Sequence, residues 1–332
     1  MTVTATALLV LHTWGGDGRT WAPALPFLCA DGRAVEAPDL PGHGGRADEP
    51  FTPAGALEAA SACAAALDGG RPVDVVGSGL GALIALALTR QRPHAVRSLT
   101  LVGFPPAGGP AAAGRLAQTE ERLRREGTAA FARSYAEGTL RGSGPARRAL
   151  LRDAMAATRA RTLLDSLRAT LGWAGDAPPR PLGSPCLVLR GAYDERVGED
   201  AAKALAGQLG GVYGVVPGAG HVAYLDEPEA FAAVLLDFHG GLDHDHGLDH
   251  DRAIDHGLDQ DHDHGLDHGH GLQHHGLDHG LDRTADGPVP GHGPGPSRPP
   301  RSAPAGRYGT EPVPPVRHSS GPPTRRSPSA ER

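Results

Sequence analysis

The chain has 332 residues, length for one large domain or two, and a formal net charge of −6 that is segregated along it. Residues 240–282 carry eleven Asp and one Arg, and residues 283–332 carry eight Arg and three acids, which leaves residues 1–239 at −1. So nearly neutral a body gives no electrostatic argument for a nucleic-acid or membrane partner.

Cys29, Cys63 and Cys186 lack metal-ligand spacing, and an odd count without a framework suits a reducing compartment. No stretch approaches the roughly 20 apolar residues of a membrane span, and Met1–Trp14 has no basic leader. The expectation is a soluble cytoplasmic protein with no cofactor and no resident metal.

In chain order, Ala5–Leu11 reads as a buried strand running into H-T-W-G-G-D-G. Thr20–Cys29 reads as a short helix with proline in its first turn. Arg33–Ala37 is a second strand and opens into A-P-D-L-P-G-H-G-G. Thr52–Leu67 is Ala-rich and helical, with Thr52 as N-cap before Pro53. Val73–Ala82 is an apolar run ending in a glycine turn, and Leu83–Arg90 is helical. Ser98–Phe104 is a further strand. Residues 107–175 place Leu, Ala and Arg at helical spacing with breaks at Gly127, Gly142–Pro145 and Gly172, about four helices inserted as a cap. Cys186–Arg190 is a strand, Glu199–Leu209 a helix, Val212–Val216 a strand and Glu227–Phe238 the last helix. Strands alternating with helices predict an α/β fold, a mostly parallel sheet with helices on both faces. The core spans 1–106 and 176–239. The chain meets a central strand almost at once, leaving no room for an N-terminal antiparallel hairpin.

Residues 240–282 repeat H-G-L-D-H irregularly, and their isolated leucines cannot build a core. Residues 283–332 are rich in Pro, Gly, Ser and Arg. Both are expected to be disordered and to add little stability. The His/Asp repeat reads first as a solvated spacer. Its imidazoles and carboxylates would bind divalent Zn, Ni or Cu weakly, in many registers.

The chemistry centres on V-D-V-V-G-S-G-L-G-A, Val73–Ala82. Strand, sharp glycine turn and helix form the setting of the nucleophile elbow G-x-S-x-G. Gly77 and Gly81 fall on its outer glycines and Gly79 on the nucleophile position. Ser78 stands one place early.

Four further motifs make the chain resemble the α/β-hydrolase family over Ala5 to about His239, most closely the small lactonases and esterases related to 3-oxoadipate enol-lactonase and the bromoperoxidase-like hydrolases with a helical cap. L-L-V-L-H-T-W-G-G resembles the oxyanion loop, and A-P-D-L-P-G-H-G the loop after the next strand. R-G-A-Y-D resembles the acid loop and P-G-A-G-H the histidine loop. The resemblance implies Asp194 as acid and His221 as base. It also implies oxyanion donors at Leu80 and near Trp14, with His12 and Thr13 lining the pocket. A histidine that shuttles a proton needs a carboxylate to fix its tautomer, and this pair can supply it.

Two departures matter. Gly79 has no side chain, so no covalent acyl-enzyme can form there. Thr13 stands where the family usually has glycine; plant hydroxynitrile lyases are similar in their His-Thr, though they keep the elbow serine. Three readings follow for a small-molecule partner. The first is a general-base enzyme without a covalent step, acting on a small ester, lactone or related carbonyl compound. The second is a silent ligand- or partner-binding protein. The third is a serine esterase using Ser78. His12 and His43 are also expected as packing residues, His94 and His239 at the surface, and Trp14, Trp21 and Trp173 in core or pocket.

Overall fold

A computed structural model describes residues 5–104, 110–172 and 180–255, without the side chains of Pro110 and residues 244–255. Six strands form one sheet: β1 Leu8–Leu11, β2 Val35–Glu36, β3 Val73–Ser78, β4 Val96–Val102, β5 Cys186–Gly191 and β6 Val212–Val216. Their order is β2-β1-β3-β4-β5-β6 and every pair is parallel. Parallel strands covered by helices read as unbroken apolar runs. Leu8, Leu9, Val10 and Leu11 are accordingly buried, as are all six residues of β3 and of β5.

The helices are α1 Leu25–Leu28, α2 Pro53–Leu67, α3 Leu80–Gln91, α4 Pro110–Thr139, α5 Pro145–Ala157, α6 Ala160–Gly172, α7 Glu199–Leu209, α8 Ala223–Asp226 and α9 Pro228–Asp255. The Thr52 side chain caps α2, accepting from the Gly55 N–H at 3.0 Å. α3 packs on β3 and β4, α7 on β5 and β6, and α9 on β6. α4–α6 leave the sheet between β4 and β5. α4 is broken at Gly127, whose φ of 75° is non-helical, so the insertion holds four helical pieces. α5 and α6 part at Thr158, whose hydroxyl folds back onto the Ala154 carbonyl at 2.9 Å. No Gly or Pro marks that break.

Several expectations need correcting. Thr20–Cys29 is not one helix: a 3-10 turn at Gly18–Trp21 and the single turn α1 replace it, because Pro23 and Pro26 remove amide donors. α8 is an additional turn. His239 is buried at 1 % exposure rather than at the surface. α9 does not stop at Phe238 but continues through Asp255. Its partners hold it as far as Asp243. His239 Nδ1 accepts from Arg33 Nη1 at 3.0 Å, and Arg97 pairs with Asp243. Arg97 also grips the buried Asp74 at 2.7 and 2.8 Å, and Ser98 donates to the same carboxylate at 2.6 Å. Trp173, the rest of the His/Asp repeat and the Pro/Gly/Ser/Arg-rich segment lie outside the described residues. Among the described residues no group of three or more His, Cys, Asp or Glu could hold a metal, and no helix is long and apolar enough to cross a membrane.

Candidate active site

The strand order reverses between β1 and β3, and such a switch point opens a crevice at the carboxyl ends of the strands. Loops after β1, β3, β4, β5 and β6 converge there. Gly79 follows β3 directly, with φ 50° and ψ −105°, and caps α3. That region is strained for any residue with a side chain. Its N–H donates to the Val102 carbonyl at 3.1 Å. A Cβ at this position would lie 3.0 Å from Thr13 Oγ1 and 3.7 Å from the Trp14 nitrogen. The side-chain space of position 79 is therefore open, bordered by the Thr13 hydroxyl.

Asp194 and His221 are side by side. His221 Nδ1 lies 3.1 and 3.0 Å from the two carboxylate oxygens of Asp194. With Nδ1–H donating to a carboxylate, Nε2 carries the lone pair, and it has no partner among the described residues. Asp194 also accepts the Arg196 and Val197 amides at 2.8 and 3.1 Å. Burial pushes its pKa up, but the His221 bond, the His221 charge and these two amides outweigh burial and hold it below the usual carboxylate value. The loops are tied together: Ala192 N–H donates to Val216 O at 3.0 Å and Tyr193 N–H to Ala219 O at 2.8 Å. Gly103, at φ 54°, lets the histidine in. A Cβ there would stand 2.6 Å from the His221 carbonyl oxygen and 3.3 Å from its ring nitrogen.

The β1 loop is fixed by buried polar contacts. His12 Nε2 accepts the Leu40 N–H at 3.1 Å, so Nδ1 carries the proton and donates to Thr13 O at 3.0 Å. Burial lowers the His12 pKa and keeps the ring neutral. His43 packs 5.0 Å from it and is pushed down to about 3, chiefly by burial and then by His12. The Tyr224 hydroxyl is 2.9 Å from Thr20 Oγ1 and accepts the Thr13 N–H at 3.5 Å. Trp14 Nε1 donates to the Leu163 carbonyl of α6 at 2.8 Å. The Trp14 and Leu80 amides have no acceptor among the described residues.

Thr13, Trp14, Gly79 and His221 line one cavity of about 280 Å³. Ser78 does not line it. It is the last residue of β3, 1 % exposed and paired with Val102, and it makes no hydrogen bond to His221. His94 is exposed. Trp21 is core, stacked on Tyr224 with centroids 3.6 Å apart. The far wall of the cavity, which the sequence did not single out, comes from α4, α6 and the acid loop, including Phe131, Tyr135, Leu167, Arg115, Arg122 and Arg196. Arg115 and Arg122 are seven apart, two helical turns, and that spacing was the available signal.

The comparisons with known proteins agree with this architecture. The profile of a family described as "Alpha/beta hydrolase family" matches residues 8–234. A pimeloyl-[acyl-carrier protein] methyl ester esterase from Aromatoleum aromaticum is 30% identical over 254 residues, 69% of this chain and 96% of that protein. A pyrrolizixenacetamide deacetylase from Xenorhabdus hominickii is 26% identical over 247 residues, 70% of this chain and 90% of the relative. Among solved structures, an esterase from Exiguobacterium antarcticum superposes with a TM-score of 0.63 at 18% identity, covering 71% of this chain and 92% of its own. A thermophilic esterase from Thermogutta terrifontis gives a TM-score of 0.59 at 22% identity, covering 71% and 89%. At those identities the two structures speak for the fold alone.

Proposed function

Because the chain belongs to the α/β hydrolase family, we propose that it is an esterase-type hydrolase in which His221 activates water directly, without a covalent acyl-enzyme. The observation that carries the reading is a histidine, held at 3.0 Å by a buried carboxylate, that lines one cavity with a glycine at φ 50°. The space beside Gly79 accommodates a water next to Thr13 Oγ1. His221 Nε2 takes a proton from that water as its oxygen attacks the carbonyl carbon. The imidazolium that forms is stabilised by Asp194 and returns the proton to the leaving alcohol. Ester and water thus become acid and alcohol. The unengaged Trp14 and Leu80 amides are the candidate oxyanion donors, each such donor being worth about 10²–10³ in rate. The names of the two relatives, an ester esterase and a deacetylase, support a carbonyl substrate of the ester or amide kind. Ser78 has no part in this scheme.

The test is hydrolysis of small methyl and p-nitrophenyl esters. We expect His221→Ala to lower kcat by about 10²-fold or more and the wild type to remain unlabelled by fluorophosphonate. Labelling abolished by Ser78→Ala would overturn the water mechanism. Saturable ligand binding with no turnover of any ester would favour a silent binding protein, a reading for which Gly79 itself speaks.

A further inference from the structure

The cavity that His221 lines is also cationic. Arg115, Arg122 and Arg196 line it, with Glu195 the acid among the lining residues. Their pairing differs. Arg122 is occupied by Glu126 at 3.2 Å and Ser134 at 2.6 Å, and Glu195 is engaged by Arg141 at 3.5 Å. Arg196 has no carboxylate partner among the described residues. Its Nη2 donates to Thr139 Oγ1 at 2.6 Å and its guanidinium lies 4.4 Å over the Tyr135 ring. It is thus held in place by a neutral hydroxyl and a ring face, its charge uncompensated. Arg115 has neither an ion pair nor a hydrogen bond among the described residues.

A guanidinium held by neutral groups keeps fork donors free for a planar oxyacid. Phe131 and Tyr135 line the same cavity and supply apolar wall for a short chain. The volume, about 280 Å³, is at the small end of ligand cavities, so the occupant is a small molecule. Arg196 also has a double attachment. Its amide holds the Asp194 carboxylate while the residue also lines the cavity, so it is tied to both the acid–base pair and the anion subsite.

We propose that the substrate is a small ester carrying a second, anionic oxyacid group, which Arg115 and Arg196 bind while the ester carbonyl lies at His221. This rests on the hydrolase reading above for the reaction, but not for the binding. A carboxylate and a phosphate share the required chemistry, and the experiment separates them.

Steady-state hydrolysis of monomethyl glutarate and of dimethyl glutarate is compared in the wild type, Arg115→Gln, Arg196→Gln and the surface control Arg152→Gln. The expected ratio of kcat/KM, charged over neutral ester, is about tenfold or more in the wild type, the size of one charge-assisted contact. It should fall towards one in Arg115→Gln and Arg196→Gln, through KM, and stay at the wild-type value in the control. It should also fall as ionic strength rises, because the wall is partly solvated. A wild-type ratio at or below one overturns the proposal and leaves the hydrolase reading standing. If neither ester turns over, titration calorimetry with glutarate and with inorganic phosphate decides separately. Saturable binding lost in the two arginine variants upholds the anion site, and the tighter of the two ligands identifies the group. No saturable binding of either overturns it.

Discussion

At the scale of single residues, the site turns on the backbone of Gly79. Its φ of 50° is one that a residue with a side chain adopts only under strain. Gly79→Ser therefore tests how much of the elbow survives. The new Cβ meets only the end of the Thr13 side chain at 3.0 Å, which a rotation of Thr13 relieves. We expect the variant to fold at a cost of about 1–3 kcal/mol for the strained backbone. We also expect it to gain p-nitrophenyl acetate turnover and fluorophosphonate labelling, both lost again in Gly79→Ser/His221→Ala. Equal turnover in wild type, single and double variants would mean that His221 cannot serve a hydroxyl at that point. The loops bearing Asp194 and His221 were legible in the sequence because a tight turn after a buried strand needs Gly and Pro in fixed places. The wall arginines were not: the seven-residue spacing of Arg115 and Arg122 puts them on one helix face, but nothing local says whether that face meets a cavity or water.

Elements were legible where a single local signal dominated. Thr52-Pro53, Gly127 and Gly144-Pro145 each mark a helix boundary through backbone chemistry alone. The Thr158 break, the α8 turn and the continuation of α9 depend on tertiary partners and have no such mark. α8 ends in Asp226, a fully buried carboxylate accepting the Gly220, Arg141 and Gly142 amides at 2.6, 2.8 and 2.8 Å. It ties the α4–α5 loop, 84 and 85 positions before it in the sequence, to the residue before His221. The continuation of α9 makes a direct prediction. A chain ending at Asp255 should melt where the full chain does. A chain ending at Phe238 forfeits the Arg33–His239 and Arg97–Asp243 contacts and leaves Asp74 with fewer partners. Its Tm should fall by several degrees, as about 1–2 kcal/mol does in a domain of this size. Identical melting of the two chains would show that these contacts contribute nothing.

Among the described residues of the whole molecule, burial holds His12, His43 and His239 below the ordinary histidine value, and this contributes a response to acid. Burial above all lowers His43 to about 3 and His239 to about 4, from an ordinary value of 6.5. Asp74 and Asp243 pull His239 upward, and Arg33 and Arg97 push it down. As pH falls from 6.5 to about 4, the unfolded chain takes up protons that the folded chain refuses, so stability declines across that window. Asp194 adds a further loss below 3.8, where its depressed folded value makes ionisation favour the native state. The expected result is a Tm that drops steadily between pH 7 and 4. His239→Gln, which keeps an acceptor for Arg33, should flatten the slope. An unchanged slope in that variant would assign the acid sensitivity elsewhere.

Trp14 joins these scales. Its indole N–H reaches the Leu163 carbonyl of α6, its ring stands edge-on to Tyr135 at 5.1 Å, and it lines the cavity. Trp21, by contrast, is sealed in the core against Tyr224. An indole's emission shifts with the polarity around it and is quenched by neighbouring groups, so the cavity has a built-in optical probe. In a Trp173→Phe background, a molecule entering beside Trp14, or a movement of α6 that breaks the Leu163 bond, should alter its fluorescence in a saturable way while Trp21 supplies a constant signal. Trp14→Phe should abolish the change. Stopped-flow records of the same signal would then time the arrival of a ligand separately from its chemistry.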